Sequence, residues 1–139
     1  MVRFNFKFML KLFSWYILSF ASFLAIDMVW LGYVAKNLYQ KEIGHLLGPV
    51  NWVAALVFYL MYVAGVMYFA VNPNLAASNI KIFLTGGLLG ALCYATYDLT
   101  NLATLKDFSV NIVPIDIAWG FLLTGLVALC SSKIYNWIY

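Results

Sequence analysis

With 139 residues, of which 65% are hydrophobic and 9% charged, and a mean hydropathy of +0.91, the chain has too little polar surface to face water on all sides, which excludes a soluble domain. Its formal net charge of +3 comes mostly from the N-terminal tail and forms no basic stripe, so membrane lipids with anionic headgroups are the expected partner and nucleic acid is not. Two cysteines and one histidine are too few for the usual metal-ligand spacings, and the sequence carries no cofactor motif, so neither metal nor cofactor is expected.

Four apolar stretches, about residues 12–35, 50–71, 82–105 and 112–132, each reach the roughly 20 residues that a membrane-spanning helix needs. They predict an all-α fold, a four-helix transmembrane bundle forming a single domain over residues 1–139. Basic residues precede the first stretch and Ser19-Phe20-Ala21 resembles a signal-peptide cleavage site, but the apolar run continues past an ordinary signal core, so the first span is expected to be retained. Turn chemistry separates the spans: Gly44, Gly48 and Pro49, then Asn72-Pro73-Asn74, then Lys106 to Asn111. The segment from Lys36 to Pro49 mixes Leu38, Tyr39, Ile43, Leu46 and Leu47 with charged residues, as a short interfacial helix capping the bundle would. Arg3, Lys7, Lys11, Lys81 and Lys133 fall on one side, and Lys36, Lys41 and Lys106 on the other. The positive-inside rule then predicts both termini in the cytoplasm of a multi-pass protein of the bacterial inner membrane.

Polar residues inside the spans are the functional signal. Asp27, Asp98 and Asp116 lie on the first, third and fourth spans, and the topology brings all three to one depth in the outer half of the bilayer. Each would cost on the order of 2.5 to 3.5 kcal/mol near the bilayer centre, so a shared polar site is expected. At about 100° per residue, Gly87, Gly90, Tyr94, Tyr97, Asp98, Asn101 and Leu105 share one face of the third span. Leu88, Leu89, Leu92, Leu99 and Leu102 form its apolar remainder. Tyr94 and Asn101 are placed one turn either side of Asp98, within reach of its carboxyl group. Gly86-x-x-x-Gly90 allows close helix approach, within the bundle or in a homo-oligomer.

The first and fourth spans both read Asp-x-x-Trp, Asp27 to Trp30 and Asp116 to Trp119, so that each indole can donate to its neighbouring carboxylate, present a π face to a cation, or sit in an interfacial aromatic belt. The second span adds Asn51 and Tyr62 on one face, with Tyr59 to the side, and His45 stands at the expected entrance. Cys93 and Cys130 fall at different depths and read as small packing residues without a disulfide.

These motifs resemble a family of small bacterial integral-membrane proteins classed as a domain of unknown function. The matching pieces are Asp27-x-x-Trp30, Gly44-His45-Leu46, Asn51 to Tyr59, Tyr94-Ala95-Thr96-Tyr97-Asp98-Leu99-Thr100-Asn101 through Leu105, and Asp116-x-x-Trp119-Gly120. Phe108 stands where the family pattern has tryptophan. The resemblance implies a loose association with membrane-lipid modification and no defined activity.

Three functions remain open from the residues. The first is binding or transport of a proton, a cation or a small cationic ligand at the carboxylates, for which a four-span scaffold calls for a homo-oligomer. The second is an intramembrane acid–base enzyme acting on membrane lipid. The third is a subunit or assembly factor of a membrane complex whose countercharge pairs with the buried acids.

Overall fold

The computed structural model describes residues 6–139, which are helical with no strand among them. Helix α1 (Phe6–Val29) runs into a π-helical turn, Trp30–Val34, closed by the Ala35 amide donating to the Trp30 carbonyl at 2.8 Å. A short α2 (Lys36–Ile43) follows, then α3 (Trp52–Gly65) with a second π segment at Val66–Val71, α4 (Asn79–Thr104) and α5 (Ile112–Ile138). Four helical stretches, Phe6–Val34, Trp52–Asn74, Asn79–Thr104 and Ile112–Ile138, are long and apolar enough to cross a membrane. The helices outrun the apolar stretches at the Lys-bearing end because Lys7, Lys11, Lys81 and Lys133 can continue a helix while their ammonium groups reach back to water. Arg3, counted with these lysines above, lies outside the described residues.

α5 is the central helix, packed against α4 along most of its length and against α1 and the Val66–Val71 segment. The glycines of α4 make this possible. A Cβ on Gly86 would come within 2.6 Å of the Ala128 Cβ, one on Gly87 within 2.7 Å of the Phe121 ring, and one on Gly90 would run into the Gly120 carbonyl and Thr124. Gly86-x-x-x-Gly90 therefore serves packing inside the bundle. Phe23, Val63, Val66, Leu123 and Val127 fill the core between α1, α3 and α5, all fully buried. At the Lys-bearing end the Trp15 indole donates to Ser131 at 2.9 Å, and the Ser19 hydroxyl reaches the Ser131 hydroxyl at 2.8 Å, so polar groups on α1 and α5 satisfy one another across the seam.

The face reading of α4 holds for Leu88, Leu92 and Leu99, which are exposed, and for Gly87, Gly90 and Asp98, which are buried. Leu89 packs against the main core and Leu102 against a second cluster of Ile43, Phe108, Ile112 and Val113, as an apolar packing surface should, whereas Tyr97 and Leu105 on the opposite face are exposed. That second cluster exists because α2 folds back over the bundle end as a cap, with Ile43 buried. Phe108 is buried in this cap, its ring edge-to-face with Tyr97.

Two polar clips hold the cap in place. Glu42 accepts from the Ser109 hydroxyl at 2.5 Å and from the Asn111 amide at 3.2 Å, and the His45 Nε2–H donates to the Asp107 carbonyl at 3.0 Å. The hydrogen bonds from Ser109, then Asn111, hold the Glu42 carboxyl below its ordinary value of 4.5, with Lys41 adding to them. A carboxylate depressed on folding contributes stability above its unfolded value, and that contribution disappears as pH falls through the folded value. Protection of the amides in the 105–111 loop, taken relative to their intrinsic exchange rate at each pH, should therefore fall in acid below the ordinary glutamate range, and Glu42→Gln should bring the same loss of protection at neutral pH. Identical exchange in mutant and wild type would show that the clip does not hold the loop.

Candidate functional site

Below the cap, the acids of α1 and α5 enter one aromatic network. The Asp27 carboxylate, 4% exposed, accepts from the Tyr59 hydroxyl at 3.2 Å and from the Trp119 indole at 3.4 Å. The Asp116 carboxylate, 6% exposed, accepts from the Tyr39 hydroxyl at 2.5 Å, and the Trp30 indole donates to that same hydroxyl oxygen at 3.4 Å. Trp30 and Trp119 stack with centroids 4.3 Å apart and planes within 7°. Each tryptophan thus serves the acid of the other helix, Trp119 directly and Trp30 through Tyr39. This corrects the expectation that each indole meets the carboxylate one turn away on its own helix. Stacking the rings between α1 and α5 turns each N–H toward the opposite helix, and the stack adds about 0.5–1.5 kcal/mol beyond its buried area.

Asp98 behaves differently. It is fully buried, and neither of its carboxylate oxygens has a hydrogen-bond partner among the described residues. The expected bonds from Tyr94 and Asn101 do not form. The Tyr94 ring is spent on close contact with Gly120, which has no side chain to hold it off, and Asn101 lies half-buried to the side. The three acids do not close on a single point: among the described residues no three carboxylates, thiols or imidazoles cluster as a metal ion would need. Asp27 and Asp116 are joined by aromatic groups, and Asp98 stands beside them on α4.

A cavity of about 360 Å³ opens next to Asp116 and is walled by Tyr39, Phe58, Tyr62, Tyr94 and Tyr97, with Ile43 and Cys93 completing it. Tyr62 is fixed by a 2.7 Å hydrogen bond with the Thr124 hydroxyl, and Tyr97 stands 59% exposed at the rim. A larger cavity among the described residues, about 530 Å³, lies elsewhere, between α1 and α3 near Phe13, Tyr16 and Met67, and no carboxylate lines it. Size alone gives it no chemistry, so the smaller, acid-bearing cavity is the candidate site.

Of the expected site residues, Tyr62, Tyr94, Tyr97 and Asp116 line this cavity; Asp27, Trp30, Asp98, Asn101 and Trp119 do not, and Asn51 and His45 have other partners. Asn51 caps α3, its side chain accepting from the Ala54 amide at 3.1 Å, and His45 clips two loops together without reaching the cavity. Two others were missed. Tyr39 and Tyr59 hold the carboxylates, and Tyr39 had a signal in the sequence: Tyr39 and Ile43 are spaced four apart in the Lys36–Ile43 stretch, as one face of a short helix requires. The same stretch pushes the Tyr39 hydroxyl above its ordinary range, first by burial and then by its hydrogen bond to Asp116, so it remains a donor throughout the neutral range.

Four apolar helices enclosing a carboxylate–aromatic network define a multi-pass integral membrane protein. The chain belongs to the family described as predicted membrane protein DUF2177, whose model matches residues 12–133 and to which no function is assigned. Comparison with curated proteins and comparison with solved structures both give no match.

Proposed function

We propose that the protein binds a small organic cation in the cavity beside Asp116. A single observation carries the reading: a nearly buried carboxylate forms one end of a cavity whose remaining walls are mostly aromatic. Aromatic faces attract a desolvated cation by about 2 kcal/mol or more each, and a carboxylate supplies the countercharge that an apolar site otherwise lacks. The Tyr39 hydroxyl occupies one Asp116 oxygen and leaves the carboxylate oriented toward the cavity wall it shares with Tyr94 and Tyr97.

The basic residues at the opposite end support both termini lying in the cytoplasm, which puts the cavity in the outer half of a bacterial inner membrane. Binding requires one copy of the chain; transport would add the demand for a second.

Benzyltrimethylammonium, titrated into protein in nanodiscs while the intrinsic tyrosine and tryptophan fluorescence is followed, tests the reading. Wild type should bind saturably, and Asp116→Asn should weaken binding by roughly 10-fold or more, the worth of one charged contact. No binding by wild type, or equal binding by the mutant, would reject it.

Acid–base chemistry on a lipid is the second reading. It is favoured by the contrast between Asp116, which holds a donor, and Asp98, which holds none, since unlike surroundings suit two carboxyls to opposite roles. Lipid extracts from deletion and overexpressing cells should then differ by mass spectrometry, and identical extracts would leave binding alone.

A further inference from the structure

The acid-bearing cavity continues beyond its aromatic walls. Phe58, Tyr62 and Cys93 line it and also line a second cavity of about 310 Å³ that runs on past Met61, Gly65, Val66, Phe69 and Leu89. Joined through these shared residues, the two make one groove along the seam between α3 and α4. The seam is open because α4 spends its packing on α5 and on the Val66–Val71 segment and leaves the Trp52–Gly65 part of α3 largely free of it. Phe58, Met61 and Phe69 are exposed along its edge, on helices whose outer faces meet lipid.

The groove has two chemically distinct ends. One carries Asp116 and the hydroxyls of Tyr39, Tyr94 and Tyr97, whereas the other is lined by aliphatic and aromatic carbon with scarcely a polar atom. From Phe58 to Phe69 it extends about 16 Å at 1.5 Å per residue, roughly half of the 30 Å hydrocarbon thickness, which is the depth of one leaflet. A compact, water-soluble cation would use only the polar end.

From this gradient we infer that the ligand is a membrane-resident amphiphile with an amine headgroup, entering sideways from the bilayer between α3 and α4. Its ammonium group sits at Asp116 among the tyrosines, and its alkyl chain lies along Tyr62, Gly65, Val66 and Leu89. The inference rests on the cation reading above and adds the chain and the lateral route. Gly65 is the position where the groove depends on a missing side chain, since a Cβ there meets nothing within 4 Å.

Photolabelling in phosphatidylcholine nanodiscs tests it, with dodecylamine carrying a diazirine at the far end of its chain and the corresponding alcohol as the neutral comparison. The amine should label Val66 and Leu89, which bulk lipid reaches poorly. The alcohol should label the lipid-facing residues of all four spans. Gly65→Leu fills open space and should remove the seam labelling from a folded protein. The inference is overturned if the amine labels in the same diffuse pattern as the alcohol, or if Gly65→Leu leaves seam labelling intact. Diffuse labelling together with Asp116-dependent binding of benzyltrimethylammonium would overturn the amphiphile alone and leave the cation reading standing; diffuse labelling with no such binding would remove both.

Discussion

Gly90→Ala is expected to unfold or loosen the bundle more than any other single-methyl addition, lowering stability by about 2–3 kcal/mol or more. The sign has to be argued, because alanine is the better helix former and gains about 0.5–1 kcal/mol over glycine within a helix. The added Cβ, however, would run into the Gly120 carbonyl, a backbone atom of α5 that no rotamer change can move, and into Thr124. Relief requires α4 and α5 to separate along their main contact, which also unseats Tyr94 from Gly120 and disturbs the Tyr62–Thr124 hydrogen bond. Gly65→Ala supplies the control, since its Cβ meets nothing and only the helix-propensity gain remains. Reversible unfolding in mixed micelles should show Gly90→Ala destabilised and Gly65→Ala unchanged or slightly more stable. Equal behaviour of the two would mean that α4 and α5 are not held at the distance described.

The α4 glycines also show how far sequence periodicity reaches. A turn of 100° per residue places Gly87, Gly90 and Asp98 on one face, and that face is the buried one. What periodicity does not supply is the partner across the interface. Nothing in Asp27-x-x-Trp30 or Asp116-x-x-Trp119 tells that the indoles are exchanged between helices, because the exchange depends on the rings stacking at 4.3 Å between α1 and α5. For Asp98 the same gap works in the opposite direction: Tyr94 and Asn101 are neighbours along the helix, yet tertiary packing of Tyr94 on Gly120 takes precedence over a local hydrogen bond. Composition reveals the spans because length and hydropathy are sums over many residues. The site is a matter of single side-chain orientations, and one such orientation, that of Tyr39, depends on α2 folding back onto Phe108 and Ile112.

Asp98→Leu is expected to stabilise the protein while weakening cation binding, and the two effects together separate a functional acid from a structural one. A buried acceptor without a partner costs about 1–3 kcal/mol, and more when charged, so an acid that is fully buried with both oxygens unpaired lowers stability where it stands. Leucine keeps the branching of the carboxyl and has no unmet polar group, but its methyl groups are larger than the oxygens they replace, so the relief of about 1–3 kcal/mol is offset in part by overpacking and the net gain in unfolding free energy should be about 1 kcal/mol. Asparagine should recover little of this, because its amide keeps the same unmet demand. Residues that cost stability in place are the ones expected to serve another end, and here that end is the proposed cation site at Asp116. Removing Asp98 should reduce benzyltrimethylammonium affinity by a smaller factor than Asp116→Asn, which removes the contacting charge. Unfolding titrations and the fluorescence binding assay on the same preparations decide the matter. A destabilised Asp98→Leu would mean that the carboxyl is a satisfied structural group in the bilayer, and unchanged affinity would take Asp98 out of the site.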